Sequence, residues 1–209
     1  DVGQFGVRKE GDKEWLVKGL LPIIAVKEMA MSGRHNVANA LAAMALGQAV
    51  GLPMEAMIDT LMRFTGLPHR CEPVANIGGV DYINDSKGTN VGATVAALEG
   101  LGPDVAGKII LIAGGVGKGA DFSDLVGPLS RYGKHTLLVG EDAQYIEQAL
   151  ADKVKFSHAI GMQEALTMAH GLAVSGDLVL LSPACASFDA YTGFEARGDH
   201  FAELVRALA

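Results

Sequence analysis

From residue 71 onward, short apolar runs alternate with stretches of helical periodicity, and no other feature of this sequence restricts its fold so strongly. Strands are expected at 71–76 and 80–84, joined by Gly78-Gly79, and short apolar runs fall at 108–113, 135–139, 154–157 and 178–181. Helical stretches lie near 90–100, 121–132, 142–150, 162–174 and 194–208. Strand alternating with helix at this spacing predicts βαβ units. The expected fold class is therefore α/β: a Rossmann-like, mostly parallel sheet flanked by helices on both faces. In such sheets a ligand lies beyond the C-terminal ends of the strands. Three polar segments occupy that position: Asn84-Asp85-Ser86-Lys87-Gly88-Thr89-Asn90, Gly114-Gly115-Val116-Gly117-Lys118-Gly119-Ala120-Asp121 and Ser182-Pro183-Ala184-Cys185-Ala186-Ser187. The reading gathers all three on one edge.

Composition removes other classes. With 49% hydrophobic residues in 209, the chain can bury enough surface to offset its conformational entropy, which excludes disorder. No uncharged apolar run reaches roughly 18 residues, so no membrane span is expected. The net charge is −7 and lysines and arginines are not clustered, which argues against a nucleic-acid face. Cys71 and Cys185 are too few for a disulfide framework and fit a reducing, cytoplasmic setting. The six histidines are scattered, without H-E-x-x-H or C-x-x-C, so no protein-ligated zinc site is expected.

The first third reads differently. Strands at 7–9 and 15–17 flank a turn at Glu10-Gly11-Asp12-Lys13, and 20–26 reads as a buried strand. A helix follows over 35–50. Its first turn holds His35, Asn36 and Asn39; the rest is apolar on every face and needs cover on every face. A second helix runs from Pro53 to Phe64. Gly66-Leu67-Pro68 reads as a boundary, dividing the chain into 1–66 and 67–209. The opening Asp1-Val2-Gly3, without an initiator methionine, points to a fragment or processed product.

Each polar segment admits a plain structural reading beside a functional one. Gly115-Val116-Gly117-Lys118-Gly119-Ala120 satisfies the loose G-x-G-x-x-A dinucleotide pattern. It is not the first βα turn of its region, and no acidic ribose reader follows at the usual distance. Lys118 points to a carboxylate or phosphate partner instead, and a glycine-rich turn is the simple alternative. In 84–90, Ser86 or Thr89 can cap the following helix, but capping explains neither Asp85 nor Lys87. Cys185 sits between alanines after a core strand and reads as a buried, inert thiol, while Ser187 is placed to donate to a carboxylate. Arg197 and Glu195 read most simply as surface charges. His35, Asn36 and Asn39 share a helical face, as a solvated helix start or as amides reading a base edge.

Several of these stretches resemble one family. His35-Asn36-Val37-Ala38-Asn39-Ala40-Leu41-Ala42-Ala43 resembles the H-N-x-x-N-A-L-A-A helix of the Mur ligases. Gly66-Leu67-Pro68-His69-Arg70-Cys71-Glu72 resembles their G-L-x-H-R-x-E junction. Tyr82-Ile83-Asn84-Asp85-Ser86-Lys87-Gly88-Thr89-Asn90 is similar to their N-D-S-K-A-T-N loop, with Gly88 in place of alanine. The stretch from Leu181 to Asp189, together with Phe194-Glu195-x-Arg197-Gly198, resembles the closing motifs of the members that add D-glutamate.

The resemblance implies a three-domain, ATP-dependent ligase of peptidoglycan synthesis. Residues 1–66 would be the C-terminal remnant of an α/β ATP-binding central domain, and 67–209 the amino-acid-binding Rossmann-like domain. The family's P-loop, its magnesium ligands, its modified lysine and its UDP-sugar domain have no counterpart here, so the chain alone is expected to be inactive. The implied partners are ATP with Mg2+, D-glutamate, UDP-MurNAc-L-Ala and the missing domains, in a monomer. The implied chemistry forms an acyl phosphate, which the amine of D-glutamate attacks. The family pattern puts His35, Asn36, Asn39, Arg70, Asp85 and Lys87 at ATP, with Lys87 catalytic. It puts Thr89, Lys118, Ser187, Phe188 and Phe194 at D-glutamate. Other expectations stay open: another Mur ligase or a folylpolyglutamate synthetase-like enzyme, a non-catalytic nucleotide-binding module, or a nicotinamide-dependent oxidoreductase.

Overall fold

The computed structural model describes residues 4–31 and 33–208; the side chain of His35 and the opening Asp1-Val2-Gly3 lie outside the described residues. The chain forms two units, Asp1–Gly66 and Leu67–Ala209.

The first unit opens with an antiparallel meander of β1 (Phe5–Glu10), β2 (Lys13–Lys18) and β3 (Leu21–Ala25), in that spatial order. Glu10 pairs with Lys13 across a two-residue turn, as the sequence predicts. Two helices follow, α1 (Arg34–Ala49) and α2 (Met54–Arg63). Leu16, Ile24, Met29, Val37, Ala40 and Met44 form their shared core. Two expectations change. The 20–26 segment is buried only at Ile24 and Ala25, because it is an edge strand entered from a turn, and Leu20 and Leu21 are exposed. Helix α1 is covered along one stripe, Val37, Ala40 and Met44, while Leu46 stays 70% exposed. Within this unit three strands and one neighbouring helix shield only one side of it.

The second unit is the predicted α/β sheet. Its strands are β4 (Glu72–Ile77), β5 (Val80–Asn84), β6 (Ile109–Gly114), β7 (Gly133–Val139), β8 (Phe156–His158) and β9 (Leu178–Leu181). Its helices are α3 (Val91–Leu101), α4 (Val126–Tyr132), α5 (Ala143–Leu150), α6 (Met162–Leu172) and α7 (Phe194–Arg206). The spatial order is β4-β5-β9-β6-β7-β8, parallel throughout except for β4, which pairs antiparallel with β5.

The central strands are apolar on both faces because both faces are covered. In β6, Ile109, Leu111 and Ala113 enter the core under α3, α4 and α5, whereas Ile110 and Ile112 enter the core under α6 and α7. β9 divides in the same way, Leu178 and Leu180 against Val179 and Leu181. This is the two-residue period of a strand serving two cores at once. The helix expected over 121–132 is shorter than predicted: a 3-10 turn occupies Ser123–Leu125, and α4 starts only at Val126, with Pro128 in its first turn, where a missing N–H costs nothing.

Candidate functional site

Strand order decides how the three polar segments meet. Because β9 lies between β5 and β6, the chain leaving β9 is sandwiched between the chains leaving the other two. Pairing continues past the strand ends. The Asp85 N–H donates to the Leu181 carbonyl at 2.7 Å, and the Ala184 N–H to the Gly88 carbonyl at 2.8 Å. On the other side, the Gly114 N–H donates to the Pro183 carbonyl at 2.8 Å, and Val116 and Ala186 exchange two bonds of 2.9 Å. Gly115 belongs to this close approach: at φ +126, a Cβ there would stand 2.1 Å from the Ala186 carbonyl oxygen. The gathering expected from sequence is therefore a hydrogen-bonded ledge. Thr89 leaves it beside Gly88, Ser187 beside Ala186, and Lys118 two residues beyond Val116.

The first three residues of the 84–90 segment, Asn84, Asp85 and Ser86, are buried and bonded to protein. Asp85 is 7% exposed; its Oδ2 accepts from the Ser182 hydroxyl at 2.7 Å and its Oδ1 from the Cys71 N–H at 3.2 Å. Burial raises its pKa above the usual carboxylate value, against the lowering effect of those hydrogen bonds and of Arg70. A carboxylate has further lone pairs, so these contacts leave Asp85 able to accept more. Burial, and then the Asp85 charge, push the Cys71 thiol up to about 12. Asn84, fully buried, meets His69 Nδ1 at 3.0 Å and donates to the Gly198 carbonyl at 3.2 Å. The His69 carbonyl accepts the Lys87 N–H at 3.0 Å, and Lys87 Nζ stands 3.9 Å from the centre of the Phe194 ring.

Two expectations are corrected here. The cap of α3 is Asn90, whose side chain accepts the Ala93 N–H at 2.9 Å, and not Ser86 or Thr89. That frees Ser86 for another role: its hydroxyl donates to the Phe194 carbonyl at 2.8 Å. The partner on its other side is Arg197, which is no surface charge. Arg197 is 3% exposed; its Nε donates to Ser86 Oγ at 3.0 Å and its Nη2 to the carbonyls of Ser86 and Cys185 at 2.9 and 3.1 Å. Burial lowers its pKa to about 10. One guanidinium thus ties the 84–90 segment to the 182–187 segment. Sequence reasoning missed it because its spacing on α7 is that of an ordinary amphipathic helix. Glu195, by contrast, is exposed as expected.

The 114–121 loop is buried at Gly114, Gly115 and Gly117 and exposed from Lys118 onward. Lys118 is exposed and holds φ +55. Helix α4 begins well after the glycines, so the loop does not point a helix N-terminus at a phosphate as a dinucleotide fingerprint does. The oxidoreductase expectation loses its geometry there. Ser187 is 2% exposed and Phe188 70% exposed. Cys185 is fully buried, and burial pushes its thiol up to about 12, in agreement with an inert cysteine. Arg70 is exposed, Lys87 and Thr89 half-buried. In the first unit, Asn36 and Asn39 sit in the opening turns of α1, Asn36 half-buried and Asn39 exposed. Among the described residues, no three His, Cys, Asp or Glu side chains are grouped to hold a metal ion, and no helix is long and apolar enough to cross a membrane.

Comparison with known proteins agrees with this architecture. Residues 69–185 match the family described as Mur ligase, glutamate ligase domain. The UDP-N-acetylmuramoylalanine–D-glutamate ligase of Nitrosococcus oceani is 53% identical over 207 residues, 99% of this chain and 45% of that protein. The enzyme of the same name from Acinetobacter baylyi is 50% identical over 212 residues, 100% of this chain and 47% of that protein. The chain thus spans about half the length of the curated relatives it matches. Among solved structures, a bifunctional folylpolyglutamate synthase/dihydrofolate synthase from Yersinia pestis superposes with a TM-score of 0.68 at 16% identity, over 98% of this chain and 45% of that one. The UDP-N-acetylmuramate-alanine ligase of Thermotoga maritima gives 0.65 at 15%, over 94% and 43%. At such identities these two show the fold alone. The family match covers more than half of the residues and takes in the 84–90 and 114–121 segments and the start of 182–187: the chain belongs to the Mur ligase family.

Proposed function

We propose that this chain is the part of an ATP-dependent ligase that holds D-glutamate and one edge of the nucleotide, while the enzyme joins that amino acid to UDP-N-acetylmuramoyl-L-alanine. The observation that carries the reading is the ledge itself, where a lysine, a threonine and a serine leave three hydrogen-bonded backbone segments side by side. The names of the curated relatives supply the substrate.

In this reading Lys118, Thr89 and Ser187 bind the two carboxylates of D-glutamate, the lysine by charge and the hydroxyls by donation. Phe188 and Phe194 border the same place. Lys87, held over the Phe194 ring, offsets negative charge at the reaction centre. Asp85 accepts from the ribose hydroxyls, and Arg70 meets phosphate. Asn36 and Asn39, with His35, are the adenine-side residues of the first unit. ATP with Mg2+ supplies the phosphoryl group that activates the acceptor carboxylate. The reading extends to a cytoplasmic role in cell-wall growth and division.

Titration of the 15N-labelled chain with D-glutamate tests the binding half. Shifts concentrated at Thr89, Lys118 and Ser187, weaker with L-glutamate, are expected. Shifts elsewhere, with these amides unmoved, would overturn the assignment.

A further inference from the structure

Gly140, Glu141 and Asp142 form the turn between β7 and α5, and no motif in the sequence marks them. An aspartate at a helix N-cap ordinarily turns its carboxylate onto an N–H of its own helix. Asp142 is the N-cap residue of α5 and makes no such bond. Its Oδ2 instead accepts the Gly117 N–H at 2.7 Å, and its own N–H donates to the Gly115 carbonyl at 3.0 Å. These two bonds grip the loop just ahead of Lys118.

The fit leaves little slack. A Cβ on Gly117 would stand 2.9 Å from Phe122 Cζ and 3.4 Å from Asp142 Oδ2. Lys118 itself holds a left-handed φ of +55, which a residue with a side chain keeps only where its surroundings fix it. The same turn also reaches the other half of the proposed pocket. The Glu141 N–H donates at 3.1 Å to Oδ2 of Asp189, two residues after Ser187.

We infer that Asp142 is a positioning residue for the amino-acid carboxylate: by fixing the Gly117 N–H it sets the backbone from which Lys118 reaches the substrate. The inference rests on the assignment of Lys118 proposed above. Asp142 touches no substrate in this scheme; it acts through the loop. The cost of turning its carboxylate away from α5 is a lost helix cap, and the return is a lysine held in one place.

The test compares KM for D-glutamate with KM for ATP in the full-length enzyme, for Asp142→Ala, Asp142→Asn, Lys118→Ala and the double alanine variant. Asp142→Ala is expected to raise KM for D-glutamate by about ten- to a hundredfold while leaving KM for ATP unchanged. Asp142→Asn keeps an acceptor oxygen and is expected to recover most of that loss. The double variant is expected to be no worse than Lys118→Ala, because residues acting as one unit are not additive. Should Asp142→Ala not fold, Asp142→Glu shifts the carboxylate by one methylene and must give the same selective rise. The inference is overturned if Lys118→Ala raises KM for D-glutamate and Asp142→Ala does not, if both KM values move together, or if the two losses multiply. If Lys118→Ala leaves KM for D-glutamate unchanged, the assignment of Lys118 falls first and takes this inference with it.

Discussion

The 84–90 and 114–121 segments leave strands of the same sheet at the same edge, yet they are built in opposite ways. In the first, Asn84, Asp85 and Ser86 are buried, and each polar side chain is bonded to protein. In the second, the loop is held by its own backbone groups, Gly114 to the Pro183 carbonyl, Val116 to Ala186, Gly115 to the Asp142 N–H and Gly117 to the Asp142 carboxylate, and Lys118 stands in solvent. On the assignment proposed above, the contrast separates two tasks. A group that must meet a reacting phosphate benefits from a rigid setting fixed before substrate arrives. Lys118, which meets a free carboxylate by charge, stands where substrate reaches it from water, on a backbone that keeps its place. Rigidity lies in the side chains of one segment and in the backbone of the other.

The largest expected effect tests the rigid half. Arg197→Ala removes three hydrogen bonds that join Ser86 to the 182–187 segment and leaves two buried carbonyls without those donors. We expect a loss of about 3 kcal/mol in urea unfolding of this chain, a cavity adding to the unpaired groups. Arg197→Lys does not rescue it, since an ammonium cannot span three acceptors in a plane. A loss near that of an exposed residue would show that the 84–90 segment holds its shape without the guanidinium.

Asp85 gives a smaller effect, read as a slope. Burial raises its folded pKa above the ordinary 3.8. Between 3.8 and that raised value the folded chain binds the proton more than the unfolded chain does. The contribution of Asp85 to stability therefore falls as pH rises through this window and is recovered as pH drops below it. Asp85→Asn is expected to flatten the pH dependence of urea stability there. An unchanged slope would mean that Asp85 is better solvated than its burial indicates, and the two segments would then differ less than they do here.

How much of this was legible beforehand follows the same division. The strands of the second unit, the gathering of three loops and the inert Cys185 all rest on local periodicity, which a sequence carries openly. Strand order is not local. Nothing in the sequence says that β9 inserts between β5 and β6, so nothing says that 182–187 is the middle segment of the ledge. Arg197 and Asp142 were missed for a related reason. Each sits where a common local role suffices, a helix face for one and a helix cap for the other, and each is diverted by a partner distant in sequence, Ser86 and Gly117. The cap of α3 differs by a shorter step: Asn90, Thr89 and Ser86 all have the right chemistry, but Asn90 stands directly before the helix and takes the cap, while Ser86 is held under Arg197. In the first unit, the apolar faces of α1 were plain in sequence, but which face this chain covers depends on a three-stranded meander too small to cover more than one.

Lys118 closes the comparison with the smallest effect on stability and the sharpest on binding. Its side chain is exposed, so Lys118→Ala should change unfolding free energy by less than about 0.5 kcal/mol. Its φ of +55 is one that glycine adopts freely, so Lys118→Gly should match or exceed the parent chain in stability, by roughly 0.5 kcal/mol. Both variants should lose the D-glutamate-dependent amide shifts. Together these outcomes would show a residue kept at a small conformational cost for what it binds, the reverse of Arg197, which is kept for what it holds. If Lys118→Gly instead destabilised the chain as much as Arg197→Ala, the open loop would prove to depend on its lysine for structure, and the division between a rigid segment and a recognising one would fail.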